Sequence, residues 1–227
     1  MAIELVIFDM AGTTVRDGDA VADCFRAALY DAGLVVTREA VNRVMGLHKP
    51  EAIHRLVKAA PADVFVAASE TEIHADFVAR MVRHYRTDEG VREVAGTSGV
   101  FERLHRAGIK NALNSGFSRE IAKIIIDRLD WIPKGLVDAS VTSDEVTRGR
   151  PHPEMIQLLM KNLGVTDAAN VVKVGDTPAD LEEGTNAGCG RVIGVTQGSH
   201  TRAELARYPH TDLIETVADL PALLGLD

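Results

Sequence analysis

The most informative stretch of the sequence is Glu4-Leu5-Val6-Ile7-Phe8-Asp9-Met10-Ala11-Gly12-Thr13-Thr14-Val15. Residues 4–8 form an apolar, β-branched and aromatic run that stops at Asp9, which predicts a buried strand. Gly12 lets the backbone approach a ligand closely. Because ligands of open parallel sheets bind outside the carboxyl ends of the strands, Asp9 is a candidate nucleophile or metal ligand.

Short apolar runs of the same kind recur along the chain and alternate with helical patterns. The further strand-like runs are Ile109–Asn114, Leu136–Val141, Val171–Val174 and Arg191–Val195. The helical patterns among them are Val100–Ala107, Arg119–Leu129, Pro153–Leu163 and Pro178–Ala187. Strands that alternate with helices predict an α/β fold, a Rossmann-like parallel sheet covered on both faces.

The segment 17–88 has a different pattern, because it contains no convincing strand. Apolar residues recur there at helical spacing in Val21–Ala32, Arg38–Val44, Pro50–Ala59 and Glu70–Tyr85. We therefore predict an α/β core formed by residues 1–16 and 89–227, with an all-helical cap domain inserted at 17–88. The amphipathic stretch Val21–Ala32 could serve a homodimer interface.

Composition excludes several classes of function. The 227 residues carry a formal net charge of −8, which argues against nucleic acid as a partner. Cys24 and Cys189 are too few and too distant for a disulfide framework, which favours a reducing compartment. The chain shows no signal peptide and no apolar run of roughly 20 residues that would span a membrane. We expect a cytoplasmic protein without a membrane partner.

A second acidic motif, Val174-Gly175-Asp176-Thr177-Pro178-Ala179-Asp180, repeats the pattern of a strand that ends at an aspartate. Two carboxylates beside Asp9 would hold a hard cation such as Mg²⁺, which prefers oxygen ligands. Asp180 also has a simpler interpretation, since a negative charge is favourable in the first turn of a helix.

Two further motifs offer groups that bind phosphate. Ser115 and Gly116 follow a strand and supply a hydroxyl and a backbone amide, and Arg150 precedes a predicted helix. A guanidinium donates paired hydrogen bonds that suit phosphate oxygens. Together with the acids, and with Gly12 and Thr13 as further phosphate-binding positions, these groups predict a phosphoryl-transfer site.

The order of these motifs resembles the haloacid dehalogenase superfamily over essentially the whole chain. That pattern is a first-strand Asp, a second-strand Ser or Thr, a Lys or Arg before a helix, and Gly-Asp with a further Asp. The resemblance implies that Asp9 becomes a transient aspartyl-phosphate bridged to Mg²⁺. It also implies that Asp9, the backbone carbonyl of Ala11 and Asp176 bind the metal, with Asp180 behind them.

Ala11 departs from the pattern of that superfamily. Most of its phosphatases carry a second Asp at this position, which protonates the leaving oxygen and then activates water. Alanine cannot transfer protons, and the loss of a general acid costs roughly 10²–10⁴-fold in rate. Either the leaving group needs no proton at this position, or the protein is not catalytic.

Residues 9–15 are similar to the first motif of the phosphonoacetaldehyde hydrolase (phosphonatase) family, which reads Asp-x-Ala-Gly-Thr-Thr-Val. Met45-Gly46-Leu47-His48-Lys49 resembles the segment that carries the family's Schiff-base lysine, and residues 114–120 and 144–151 resemble its second and third motifs. The resemblance implies cleavage of a carbon–phosphorus bond through an imine on Lys49. Ala52 stands where the family has a histidine.

The chemistry of Lys49 is compatible with such an imine. An amine must be neutral to attack a carbonyl, so its pKa must fall from about 10.4. A helix start at Pro50 and burial under a cap would both lower the pKa.

Two alternatives remain at this stage. One is an ordinary phosphomonoesterase whose proton donor lies elsewhere, such as His48. The other is a sugar-phosphate or phosphoprotein binding module that kept its phosphate site and lost turnover. In each case we expect a small phosphonate or phosphate to be the ligand.

Overall fold

The computed structural model describes residues 2–226. Its centre is a six-stranded sheet in which all neighbouring strands are parallel, in the order β3-β2-β1-β4-β5-β6. The strands are Leu5–Phe8 (β1), Lys110–Ser115 (β2), Ala139–Thr142 (β3), Val171–Gly175 (β4), Arg191–Val195 (β5) and Asp212–Ile214 (β6). The predicted Rossmann-like parallel sheet is confirmed.

Ten α-helices surround this sheet within the described part of the chain. They are Ala20–Asp31 (α1), Arg38–Asn42 (α2), Lys49–Lys58 (α3), Glu70–Thr87 (α4), Thr97–Arg106 (α5), Arg119–Arg128 (α6), Glu154–Leu163 (α7), Pro178–Ala187 (α8), Arg202–Leu205 (α9) and Leu220–Leu223 (α10). Short 3₁₀ turns lie at Ser143–Glu145, Ala168–Asn170 and Val217–Asp219.

Strand β1 is the centre of the sheet because it pairs with both β2 and β4. All of its residues are buried, and they alternate between two apolar layers. Leu5 and Ile7 pack in one layer, while Val6 and Phe8 pack in the other. Each fully buried side chain of this kind stabilises the fold by roughly 1.5–3 kcal/mol relative to exposure.

The strand order fixes the position of the site. From β1 the chain adds β2 and β3 on one side of the sheet, and it then crosses to add β4, β5 and β6 on the other side. Such a reversal opens a crevice at the carboxyl ends of the two central strands. Asp9 follows β1 and Asp176 follows β4, so both acids lie at this crevice.

Helices α1–α4 lie between β1 and α5 in the chain and form a layer with its own packing. Phe25 of α1 stacks on Phe77 of α4 with a centroid distance of 4.3 Å and an interplanar angle of 27°. Helix α4 starts with a capping box, in which Ser69 accepts from the Glu72 amide and Glu72 accepts from the Ser69 amide. The division of the chain into a core and a cap at 17–88 stays a prediction.

Two details differ from the sequence-based expectation. Strand β3 begins at Ala139 rather than at Leu136, because the Leu136 amide donates to the Trp131 carbonyl in a turn. Strand β6 was not predicted, since three residues at a sheet edge that begin with Asp212 carry too little apolar pattern. Within residues 2–226 we find no helix with the length and apolar character needed to cross a membrane.

The stacked pair in the helical layer generates a stability prediction. Phe77→Ala should lower the free energy of unfolding by about 3–5 kcal/mol, because it leaves a cavity beneath Phe25. The matched control is Phe65→Ala, whose side chain is 83% exposed and whose effect should stay within about 0.5 kcal/mol. Urea denaturation followed by circular dichroism measures both, and equal effects would contradict the packing described here.

Candidate active site

Asp9 is fixed by its backbone and by a cation. Its amide donates to the Val174 carbonyl at 2.9 Å, which continues the pairing of β1 with β4. Arg150 Nη1 donates to Asp9 Oδ1 at 2.6 Å. Burial and the charge of Asp180 raise the pKa of Asp9 to about 7, although Arg150 opposes the rise. Among residues 2–226 we find no hydrogen bond to the second carboxylate oxygen of Asp9, Oδ2.

Asp176 accepts hydrogen bonds at both of its oxygens. Thr13 Oγ1 donates to Oδ1 at 3.0 Å, while the Ser199 amide and hydroxyl donate to Oδ2 at 2.7 and 2.8 Å. The pKa of Asp176 is raised to about 6, mainly by burial and to a smaller extent by repulsion from Asp180. Gly12 has a φ of +90°, and a Cβ there would lie 2.4 Å from Asp176 Oδ2. Glycine is therefore required at position 12 for this close approach.

Asp180 is held by cations behind the other two acids. Lys173 Nζ lies 2.8 Å and Arg150 Nη1 lies 3.0 Å from its Oδ1, and Thr177 Oγ1 donates to its Oδ2 at 2.6 Å. Burial raises the pKa of Asp180, but attraction to Arg150 and Lys173 outweighs it and leaves the pKa below its usual value. Oδ1 of Asp180 thus faces two cations, and Oδ2 accepts from the Thr177 hydroxyl.

The three carboxylates each place one oxygen within 4.8 Å of the others. Such a set of buried oxygen donors suits Mg²⁺, which prefers hard ligands. The raised pKa values of Asp9 and Asp176 show that their negative charges are not fully compensated by the protein, and a divalent cation would supply that compensation. Ala11, whose backbone carbonyl is predicted to bind the metal, lies in the turn that follows Asp9. It forms an isolated β-bridge with Val15.

Arg150 is completely buried and supports several oxygens at once. Its partners are Asp9, Asp180, Glu183 and both the carbonyl and the side-chain oxygen of Asn114. A guanidinium has five N–H donors, and here it makes hydrogen bonds to Asp9, Glu183 and both Asn114 oxygens, with Asp180 as an ion-pair neighbour at 3.0 Å. To bind a phosphoryl oxygen as predicted, Arg150 must exchange its contact with Asp9 for that oxygen.

The other predicted phosphate-binding residues differ in whether their hydrogen-bonding groups are already used by the protein. Ser115 Oγ accepts from the Phe117 amide at 3.2 Å, and among residues 2–226 its own proton has no acceptor. Thr13 spends its hydroxyl on Asp176, and Gly12 is packed against the same carboxylate. Ser115 is therefore the predicted position that can donate a hydroxyl proton without losing a protein contact.

Lys49 is the first residue of α3 and is only 5% exposed. Its Nζ lies 5.1 Å from the ring centroid of Phe117 and 5.5 Å from that of Phe25. Within the described residues we find no hydrogen bond to this nitrogen and no carboxylate within 4.0 Å of it. Burial lowers the pKa of Lys49 to about 8, against the attraction of Asp9. A substantial fraction of the amine is therefore neutral at neutral to mildly alkaline pH.

Glycines allow the segment before Lys49 to pack closely against the loops at the carboxyl ends of the strands. A Cβ at Gly46, where φ is +82°, would lie 2.2 Å from Thr177 Oγ1. A Cβ at Gly116 would lie 2.6 Å from the carbonyl oxygen of Leu47. The Met45–Lys49 segment is thus packed directly against the loops that follow β2 and β4.

The nearby histidines have separate environments. Ala52 is fully buried, at the position where the resemblance implies a histidine. His54 points away from the site, because its Nδ1 lies 3.0 Å from Glu70 Oε1 and both side chains are exposed to solvent. His48 is half-buried. Its pKa is lowered mainly by this burial and to a smaller extent by the charge of Lys49. Neither histidine occupies the place of Ala52.

Several residues of the site escaped the sequence analysis. They are Asn114, Lys173, Glu183, Gln197 and Ser199. Lys173 had a usable signal, because a charge inside the apolar strand Val171–Gly175 requires buried partners. Glu183 had none, since a glutamate in a helix is ordinarily exposed.

Comparison with known proteins agrees with this geometry. The family model described as "Haloacid dehalogenase-like hydrolase" matches residues 6–195. The chain therefore belongs to the haloacid dehalogenase-like hydrolases, as the motif order indicated.

Among individual proteins, the chain is 32% identical over 235 residues to phosphonoacetaldehyde hydrolase of Bacillus cereus (strain B4264), which covers 96% of this chain and 86% of the relative. The same name is carried by a Bacillus thuringiensis (strain Al Hakam) protein with 32% identity and the same coverage. Of solved structures, a phosphonoacetaldehyde hydrolase-like protein from Oleispira antarctica superposes with a TM-score of 0.85 at 22% identity, covering 99% of this chain and 92% of that one.

The buried ion-pair cluster generates a prediction for Lys173. Lys173→Met should lower the free energy of unfolding by about 3–5 kcal/mol, because it leaves the buried carboxylates of Asp180 and Glu183 to share Arg150, which also pairs with Asp9. The control is Lys123→Met, which removes an exposed lysine on α6 and should cost less than about 1 kcal/mol. Denaturant titration of both variants at pH 7 measures the difference, and a stable Lys173→Met protein would contradict the cluster's role.

The lowered pKa of Lys49 generates a prediction of pH dependence. A neutral amine forms an imine, so reductive alkylation of Lys49 by acetaldehyde and cyanoborohydride should accelerate as pH rises and level off above about 8. A lysine with the ordinary pKa of about 10.4 should keep accelerating through pH 9. Peptide mass spectrometry compares Lys49 with the other lysines in one digest. A Lys49 profile parallel to theirs would refute the shift.

Proposed function

We propose that this hydrolase cleaves the carbon–phosphorus bond of phosphonoacetaldehyde or a closely related phosphonate, with Mg²⁺, Asp9 as nucleophile and Lys49 as the Schiff-base lysine. The observation that carries the proposal is the environment of Lys49, which is buried against aromatic rings, has no carboxylate paired with it among residues 2–226 and has a pKa of about 8. The attraction of Asp9 for its charge indicates that the two groups share one site.

The chemistry requires such a lysine because a carbon–phosphorus bond breaks heterolytically only when the departing carbon is stabilised. In the first step the neutral Lys49 nitrogen attacks the carbonyl carbon of the aldehyde. The carbonyl oxygen takes up a proton, and loss of water leaves an iminium on the carbon adjacent to the one bonded to phosphorus. This iminium is the electron sink for the next step.

In the second step an oxygen of Asp9 attacks phosphorus. The phosphorus–oxygen bond forms as the carbon–phosphorus bond breaks, and the released electron pair neutralises the iminium to give an enamine. Water then hydrolyses the aspartyl-phosphate and releases inorganic phosphate. The enamine takes a proton at carbon, and hydrolysis of the resulting iminium releases acetaldehyde and regenerates Lys49.

This route explains why Ala11 is tolerated. A phosphate ester loses an alkoxide, which needs a proton from an acid at the position of Ala11. An enamine leaves without a proton at that moment, so no acid is needed there. The relatives named phosphonoacetaldehyde hydrolase, at about 32% identity over most of the chain, support the same conclusion.

The remaining residues would hold the phosphoryl group. Asp9, Asp176 and the carbonyl of Ala11 would bind Mg²⁺, with Asp180 fixed behind them by Lys173. Bound Mg²⁺ supplies neutralisation of the phosphoryl charge. Ser115 would donate its hydroxyl proton to a phosphoryl oxygen. Arg150 would first position Asp9 and would then bind a phosphoryl oxygen as negative charge develops on it.

We further propose that residues 17–88 act as a cap that closes over the substrate. Lys49 lies in this segment, whereas Asp9 follows β1, so the two reacting groups meet only when the helical layer rests on the sheet edge. The close packing at Gly46 and Gly116 supports a closed arrangement. Closure of this kind also excludes water from the reaction.

Replacement of Lys49 tests the mechanism. Lys49→Arg keeps the positive charge but cannot form an imine, so phosphonoacetaldehyde turnover should fall by at least about 10³-fold. Borohydride with phosphonoacetaldehyde should irreversibly inactivate the wild type and leave an unmodified residue 49 in the variant. The control Lys58→Arg, on the exposed end of the same helix, should be unaffected.

Two results would decide against this proposal. An active Lys49→Arg enzyme would eliminate the Schiff base. If the wild type hydrolyses phosphate esters and Lys49→Arg does so equally well, the protein is a phosphomonoesterase.

A further inference from the structure

Tyr85 of α4 is a buried polar residue that the mechanism above does not use. Its side chain is fully buried, and its hydroxyl has no hydrogen-bond partner among residues 2–226. An unpaired buried hydroxyl destabilises a folded protein, and phenylalanine would fill the same space without that cost. A ligand that supplies the missing partner would account for this tyrosine.

The position of Tyr85 points to the site of imine formation. Its ring meets the ring of Phe117 edge-on, with a centroid distance of 5.8 Å and an angle of 71°. The same Phe117 ring lies 5.1 Å from Lys49 Nζ. Tyr85 and Lys49 therefore contact one aromatic ring, although they come from different helices.

The charges around the phenol agree with this placement. Burial raises the pKa of Tyr85 well above its usual value, and the carboxylates of Asp17 and Asp9 raise it further. The hydroxyl therefore keeps its proton across the working pH range and acts as a donor. It also lies within electrostatic reach of Asp9, where phosphorus would be attacked.

We propose that Tyr85 is a substrate-binding residue whose hydroxyl donates a hydrogen bond to the carbonyl oxygen of the aldehyde that Lys49 attacks. The proposal rests on the function proposed above and adds the residue that recognises the aldehyde end of the substrate. As the carbon–nitrogen bond forms, the carbonyl oxygen gains negative charge, which a positioned donor stabilises. The proton lost by the attacking nitrogen ends on this oxygen, and Tyr85 retains its own.

The neighbouring side chains named below do not provide this hydrogen bond to the aldehyde oxygen. Ala11 and Ala52 carry no donor, and Asp17 accepts from the Val21 amide at 3.2 Å at the start of α1. Asp9 and Ser115 are assigned to the phosphoryl end. A neutral hydroxyl beside Lys49 is also preferable to a second cation, because a cation would stabilise the neutral amine but repel the iminium that follows.

The test compares Tyr85→Phe with Tyr30→Phe, which makes the same change at an α1 residue that is 68% exposed. Tyr85→Phe should lower kcat/KM for phosphonoacetaldehyde by about 10²-fold, the scale for one preorganised donor. It should slow borohydride-trapped imine formation at Lys49 to a similar degree. The inhibition constant of inorganic phosphate should not change, because phosphate occupies the other end of the site. Tyr30→Phe should match the wild type in each measurement.

Thermal unfolding separates a substrate contact from a structural role. Tyr85→Phe should unfold at the same temperature as the wild type or higher, since it removes an unpaired buried hydroxyl. A variant with near-normal imine formation, or one that loses activity together with stability and phosphate affinity, would overturn the role of Tyr85 alone. A wild type that neither turns over nor traps the aldehyde would overturn both this inference and the proposed function.

Discussion

The buried carboxylates of Asp9, Asp176 and Asp180 lie close together, and the repulsion among their negative charges is the main electrostatic problem that this fold must solve. Buried like charges are tolerated only where cations or hydrogen-bond donors compensate them. Arg150 and Lys173 provide that compensation unequally. Asp180 lies beside both cations and has a lowered pKa, whereas the pKa values of Asp9 and Asp176 are raised.

Lys49 differs from the buried acids, because aromatic rings rather than opposite charges surround its amine. The aromatic rings of Phe25 and Phe117 attract an ammonium weakly, while burial removes it from water. Burial has the larger effect, so the amine is partly neutral near pH 8. The same cluster of acids that would bind a metal also keeps this lysine from losing its proton too easily. Lys49 of the helical layer and Asp9 beside the sheet are thus electrostatically linked, since the charge of Asp9 opposes the fall in the pKa of Lys49.

Much of the fold was predictable because its signals are local. The strand before Asp9 is apolar throughout, as the central strand of a covered parallel sheet must be, and the helical spacing of Val21–Ala32 and Glu70–Tyr85 corresponds to helices α1 and α4. The partners of the acids were less predictable. Asn114 and Glu183 contact Arg150 only because β2, α8 and the loop before α7 converge at one sheet edge.

Residue type and spacing are properties of the chain, and they were enough to predict the class of fold, the order of the motifs and the candidate site residues Asp9, Asp176 and Lys49. The pKa shifts of these groups could not be predicted in the same way, because they arise in the folded protein. Protonation depends on burial and on charges brought from distant parts of the chain, such as Lys173 beside Asp180. The absence of a hydrogen-bond partner for the Tyr85 hydroxyl among residues 2–226 is likewise a property of the folded chain.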